Sequence, residues 1–180
     1  TALAAEHTHF SNDTGLGGAL SYDGTVYTAS ALVAQTAGIT VKTPLLAENF
    51  GGDNPYMPGA TSIGDILDAH GYRQVLMMGS DCGFANKKSY FTEHGNYEII
   101  DIEALKVSGK LPEDYLVFWG FEDQKLFSFA QETLTELGQG DEPFNFTMLT
   151  VDTHFPDGYD CEQCEDIYNE QYANVLSCSS

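Results

Sequence analysis

Positive charge is what this chain has least of: 7 lysines and arginines stand against 27 acidic residues, for a net charge of −20 over 180 residues. A surface so negative repels phosphate backbones and anionic headgroups, which argues against nucleic acid as a partner and against basic-patch membrane binding. The plain reading of that charge is an acidic secreted or halotolerant surface. Long apolar runs are missing too. No stretch reaches the ~18 residues that a membrane-spanning helix needs, and Thr1 to Glu6 has neither the basic start nor the apolar core of a signal peptide. No internal repeat or low-complexity tract occurs. Cysteine is sparse and uneven: of Cys82, Cys161, Cys164 and Cys178, three crowd into the last twenty residues. Cys161-x-x-Cys164 alone lacks the four ligands of a structural zinc site, with only Cys178 nearby, and it lacks the strand-to-helix setting of a redox pair. The cluster reads as a disulfide to Cys178 or as a partial metal knot. The disulfide is the plainer account and points to an oxidising compartment.

What is present suits a globular fold. Apolar residues make up 42% and aromatics 12% of a chain the size of one domain. Ala2 to His7 reads as the tail of a helix, and His9 to Gly24 as a glycine-rich loop. Thr25 to Thr36 reads as a small-residue helix closed by Gly38. Pro44 to Ala60, with three prolines and three glycines, is a long loop of the kind that borders sites. Helices are expected over Ser62 to His70, Asn86 to His94, Glu122 to Leu137 and Asp166 to Leu176. Strands are expected at Gln74 to Met78, Tyr97 to Ile100 and Phe144 to Val151. On the Glu122 helix, Leu126, Phe127, Ala130, Leu134 and Leu137 are expected to share one face. Helices alternating with short apolar strands predict an α/β fold with a mostly parallel sheet. Ligands in such folds lie beyond the carboxyl ends of strands, which selects Gly79 to Lys88 and Asp152 to Gly158. The chain opens in what reads as the end of a helix and stops just after another, so a fragment of a longer domain is expected.

Two sets of residues carry chemical potential. Gly24-Thr25-x-x-Thr28 places hydroxyls where a helix begins, in the positive end of the dipole and among unpaired N–H groups that favour anions; the plain alternative is an N-cap. His154, leaving an apolar strand and followed by Phe-Pro-Asp-Gly, is placed to donate to a phosphate or shuttle a proton, or else is a solvated loop histidine.

Three segments together, Asp23 to Ile39, Gly71 to Lys88 with Phe91 and His94-Gly95, and Leu149 to Gly158 with Tyr172 to Ser180 behind it, resemble the alkaline-phosphatase-like (sulfatase) superfamily, in its phosphoglycerol transferase and lipoteichoic acid synthase branch. The resemblance runs over nearly the whole chain. It implies a three-layer αβα fold of which residues 1–180 are a part, lacking the strands that carry the remaining metal ligands: an upstream glutamate and a downstream Asp-His pair. The chain by itself is then expected to be inactive. The resemblance further implies an extracytoplasmic enzyme, its parent anchored in the cytoplasmic membrane, using Mn²⁺ or Mg²⁺ to activate a threonine. That threonine attacks phosphatidylglycerol and passes phosphoglycerol to a glycan or polymer acceptor. On the motif, Thr25 matches the nucleophile and metal ligand, thirteen residues before Gly38. His154 matches the histidine that contacts the substrate phosphate, and Phe84 and Lys87 fall near the glycerophosphate-binding positions. No arginine lies near Phe84, where one branch carries one; Lys87 or Lys88 is the substitute, without the bidentate fork. The family's spacing also selects Cys161 as the partner of Cys178 in a disulfide. The alternatives are a sulfatase, a phosphodiesterase or phosphoethanolamine transferase of the same superfamily, and a non-catalytic secreted binding domain. A sulfatase would need a Cys-x-Pro-x-Arg setting, which neither Cys82 nor Thr25 has.

Overall fold

A short apolar run, Val75 to Met78, sets the architecture. In the computed structural model, which describes residues 22–41, 55–162 and 164–179 and the backbone of two short strands before them, Arg73–Met78 forms strand β3 with all but its first residue buried. The two short strands, β1 (Ser11–Asn12) and β2 (Gly15–Leu16), pair antiparallel. On one side of β3 lies β4 (Glu98–Ile100) and on the other β5 (Phe144–Leu149), both parallel to it, giving the order β4-β3-β5. The helix expected at Ala2 to His7, and most of the loops expected at His9 to Gly24 and Pro44 to Ala60, lie outside the described residues.

A run buried on both faces is what a sheet covered by helices on each side requires. Side chains alternate across the sheet, and the two halves of the core follow that alternation. Leu76 and Met78 pack with Val33 of α1 (Thr28–Ala37) and with Tyr90 and Phe91 of α3 (Lys87–Glu93). Met77 points the other way, into Ile102 and Leu105 of α4 (Ile102–Val107) and Leu126 and Ala130 of α5 (Asp123–Gln139). This is a three-layer αβα arrangement. Removing any of the fully buried β3 side chains would forfeit roughly 1.5–3 kcal/mol of burial.

The helix α2 (Ile63–Ala69) starts where Ser62 and Asp65 cap each other, at 2.7 and 3.1 Å. It is fixed to the sheet by Gln74, whose buried amide donates to the carbonyls of Gly64 and Gly95. Helix α4 was not foreseen. Its cap is Asp101, which accepts from Ala104 N–H at 2.9 Å and also from Cys82 N–H at 3.0 Å, tying the loop after β3 to the next helix.

Several boundaries shift. Phe127 and Leu134, expected on the inner face of α5, are exposed, while Leu126, Ala130 and Leu137 are buried. At about 100° per residue those three span an arc of about 40°, with Leu134 about 60° and Phe127 about 80° from its centre. The last helix, α6 (Gln171–Cys178), begins later than Asp166. Asn174 takes both backbone groups of Tyr168, accepting from its N–H at 2.7 Å and donating to its carbonyl at 3.0 Å, which holds the preceding segment outside the helix.

Candidate active site

Three loops meet beyond the carboxyl edge of the sheet. The first follows β3. Gly79 N–H bonds the carbonyl of Leu149 on the neighbouring strand, and Ser80 pairs with Gly120. The second is the α4–α5 connection, where a Val117–Gly120 turn brings Gly120 so close to Gly79 that a Cβ on it would lie 2.1 Å from the Gly79 carbonyl oxygen. The third follows β5 and carries Asp152, His154 and Gly158. Asp123, at the start of α5, holds this third loop by accepting from the N–H groups of Val151 and Asp152 at 2.7 and 3.2 Å.

Each loop contains a non-glycine residue at positive φ: Ala85 (57°) and Asn86 (59°), Phe118 (55°), and Asp157 (22°). Such conformations cost of order 1–3 kcal/mol each and gather at functional sites. Ala85 and Asn86 sit between Phe84 and Lys87, two of the residues the resemblance selects.

Those two residues are held differently from each other. Phe84 is 62% exposed, whereas Lys87 is buried at 6%, its Nζ donating to the Phe84 carbonyl at 2.5 Å and lying 5.1 Å from the Phe84 ring centre. Burial holds the Lys87 ammonium below the usual lysine range, opposed by the nearby Cys82, Asp81 and Asp101. Lys87 therefore locks the turn that presents Phe84, while Lys88 is the lysine here whose side chain faces solvent.

His154 is exposed. Its Nδ1 donates to the Phe155 carbonyl at 2.7 Å, and its ring lies 4.8 Å from that of Trp119, whose indole N–H also reaches the Phe155 carbonyl, at 3.2 Å. With Nδ1–H committed, the neutral ring offers Nε2 as a lone pair, and only the imidazolium offers it as a donor. Phe118 stacks on Tyr159 at 6.2 Å on the same side. In the same loop as His154, Asp152 is 5% exposed and its Oδ1 has no hydrogen-bond partner among the described residues. Burial, and then the Asp123 charge, push its carboxyl up to about 6. Asp152 opens the segment selected beyond the strand end, but no role was expected of it, and none of Phe118, Trp119, Asp123 or Tyr159 was foreseen as part of the site. The one available signal was the chain's single tryptophan, in the aromatic run Phe118-Trp119-Gly120-Phe121.

Thr25 lies ahead of α1, not in it. The helix begins at Thr28, with Tyr27 as its N-cap and the Ser30 hydroxyl reaching back to the Tyr27 N–H at 3.2 Å. Thr28 is thus the first helical residue and not one turn inside. Thr25 closes a turn with Tyr22: its hydroxyl donates to the Tyr22 carbonyl at 2.9 Å and accepts from the Tyr22 N–H at 3.0 Å. Gly24 is required by packing: it has φ 81°, and a Cβ there would stand 2.9 Å from the Val41 carbonyl oxygen. Helix α1 reaches the Phe84–Lys87 turn, since Ala29 and Val33 line a crevice with Ala85, Lys87 and Tyr90.

The Cys161–Cys178 bridge is not formed in the structure. The two sulfurs are 3.7 Å apart, and all four cysteines are free.

A family model described as Sulfatase matches residues 4–178. Among curated proteins, the phosphoglycerol transferase I of Xanthomonas campestris pv. campestris is 32% identical over 157 residues, covering 87% of this chain and 22% of that protein. The phosphoglycerol transferase I of Citrobacter koseri is 31% identical over 162 residues, covering 87% and 21%. The chain thus spans about a fifth of the length of these relatives. A solved structure of a protein in the alkaline phosphatase superfamily from Vibrio parahaemolyticus superposes with a TM-score of 0.62 at 20% identity, over 88% of this chain and 39% of that one. The lipoteichoic acid synthase LtaP from Listeria monocytogenes gives 0.50 at 17% identity, over 66% and 29%. With the family match running almost end to end and the three-layer fold shared with these structures, the chain belongs to the sulfatase family and has the alkaline-phosphatase-like fold.

Proposed function

We propose that this chain is part of the catalytic domain of an extracytoplasmic transferase. Thr25 takes a phosphoglycerol group from a phosphatidylglycerol headgroup and yields it to a glycan or polymer acceptor. The observation that carries the reading is the gathering, at one edge of a parallel sheet, of the Phe84–Lys87 turn and the His154 loop, with the helix that follows Thr25 packed against that turn. In α/β folds that edge is where ligands lie. The parent is read as membrane-anchored through segments outside this chain; no helix among the described residues is long and apolar enough to cross a membrane.

The chemistry divides into two displacements. The Thr25 oxygen attacks phosphorus, the bond to the diacylglycerol oxygen breaks, and diacylglycerol leaves as the alcohol once it has taken up a proton. An acceptor hydroxyl then displaces Thr25 from the phosphorus, and the threonine recovers its proton. A hydroxyl hydrogen-bonded to Tyr22 is a weak nucleophile by itself. The hard divalent ion expected in this family, Mn²⁺ or Mg²⁺, would lower its pKa when bound. The donor chemistry fits, because after its two bonds to Tyr22 the Thr25 oxygen retains a lone pair suited to a hard cation. His154 as imidazolium donates from Nε2 to a phosphate oxygen. Phe84 supplies an exposed apolar face for the glycerol carbons, and Lys87 holds it in place.

The test uses the full-length enzyme. Thr25→Ala should abolish turnover, whereas Thr28→Ala, at an exposed first helical position, should leave turnover intact and change stability by about 0.5 kcal/mol or less. Brief exposure to phosphatidylglycerol should leave a glycerophosphoryl adduct on the peptide carrying Thr25. Full activity in Thr25→Ala, or an adduct on Thr28, would refute the assignment.

A further inference from the structure

The three cysteines near the carboxyl end are arranged for a ligand that the proposed reaction does not use. Cys161 and Cys164 close a turn, with Cys164 N–H bonding the Cys161 carbonyl at 2.9 Å, and Cys178 arrives from the last residue of α6. Cys161 Sγ lies 3.5 Å from Cys164 Sγ and 3.7 Å from Cys178 Sγ, and all three sulfurs fall within 4.8 Å of one another. Two thiolates on one tetrahedral zinc, each at about 2.3 Å, stand about 3.8 Å apart. A disulfide would use two of the three sulfurs and leave the third without a role, whereas a metal uses them all.

The surrounding charge points the same way. Residues 157–170 carry six carboxylates, Asp157, Asp160, Glu162, Glu165, Asp166 and Glu170, and no lysine or arginine follows Lys125 in the chain. The local sequence offers thiolates no lysine or arginine, so their charge would be balanced by an ion from solution.

We propose that Cys161, Cys164 and Cys178 bind a soft divalent ion of the zinc class, with the fourth position taken by water. The ion ties the His154 loop to α6. The segment it would close already packs there: Gln171 Nε2 donates to the Gly158 carbonyl at 3.2 Å, the Tyr172 hydroxyl lies 3.4 Å from the Thr153 carbonyl oxygen, and Gly158 sits against Val175. Sulfur ligands select zinc over the hard Mn²⁺ or Mg²⁺ that would serve Thr25, so the two sites are chemically separate.

The intact chain, purified without reductant or chelator, should carry about one zinc per molecule by elemental analysis. The three thiols should react with iodoacetamide only after a chelator is added. Replacing zinc by Co²⁺ should give the near-ultraviolet thiolate charge-transfer band and the visible bands of a tetrahedral site, a readout that needs no variant. Mn²⁺ should give no such replacement. Cys161→Ser and Cys178→Ser should each weaken zinc binding by about tenfold or more. Cys82→Ser should not, because that thiol is fully buried in the other half of the core. Chelation should also shift the fluorescence of Trp119, which rests on the His154 ring. A Cys161–Cys178 or Cys161–Cys164 disulfide peptide in the untreated preparation would overturn the proposal. So would the absence of the charge-transfer band, or zinc binding undiminished in Cys161→Ser.

Discussion

Replacing Asp152 by asparagine should make this chain more stable at neutral pH and leave it nearly unchanged in acid. In the folded state the carboxyl is 5% exposed, its Oδ1 has no partner among the described residues, and Asp123 stands close enough to repel its charge. Folding therefore raises its pKa from 3.8 to about 6. Between those two values the folded chain binds more protons than the unfolded one, so stability falls as pH rises through the window, and above it the loss is complete. A rise of that size corresponds to roughly 3 kcal/mol at most, and less where the loop relaxes or water reaches the carboxylate. Asparagine keeps the shape and removes the charge, and its amide can donate toward Asp123. Urea unfolding followed by Trp119 fluorescence would measure this at pH values from about 3 to about 8, a range that brackets both pKa values. The expected result is a difference between Asp152→Asn and wild type that is small at the acid end, grows through the window and is flat beyond it. A difference of the same size at every pH would refute the argument, because it would mean that packing, not ionisation, separates the two side chains.

Two further substitutions probe the same edge of the sheet. In the full-length enzyme His154→Ala should lower turnover on the order of 10²-fold, the loss expected for one donor to developing phosphate charge. Its urea midpoint should barely move, because the ring is exposed; near-normal turnover would return His154 to the role of a solvated loop residue. Gly120→Ala should destabilise by about 1–3 kcal/mol or more, since its Cβ would lie 2.1 Å from the Gly79 carbonyl oxygen, where only backbone can give way. An unchanged urea midpoint would show that the Gly79–Gly120 approach is not held in solution.

The regular elements were legible because burial writes a period into the sequence. The short apolar run ending at Met78 suited a buried strand, and Gly38, Gly71 and Gly95 marked turns that the structure makes with positive φ. Errors came where a side chain outside the apolar pattern decided a boundary. Asn174 delays the last helix by holding Tyr168, and Asp101 starts a helix that no long apolar stripe announced. Of the site, the chain positions beyond strand ends could be named, but not the state of their side chains. That Lys87 turns inward onto the Phe84 carbonyl depends on the two left-handed residues between them, and neither Ala85 nor Asn86 is a glycine that would have signalled such a turn. The Trp119 shelf was hidden for a different reason. It approaches His154 from 35 residues away in sequence, through a Ser80–Gly120 pairing that only the tertiary fold creates.

The reason for Gly24 changes how the nucleophile assignment should be argued. A glycine before a reactive hydroxyl suggests close approach by substrate or metal, but here the close approach is by the chain itself. Val41 N–H bonds the Gly24 carbonyl at 3.2 Å, and the Val41 carbonyl occupies the space a Cβ would need. The contact closes the turn at Tyr22–Thr25 against the segment leaving α1, so both ends of the helix are fastened together. Thr25 is thereby held by two hydrogen bonds to one residue and by the glycine beside it, while Thr28 is exposed at the first position of the helix. A nucleophile must be oriented before it is activated. Of the two hydroxyls, Thr25 is the one whose oxygen is already fixed in direction, and this favours the proposed assignment where the helix dipole, acting on both, does not.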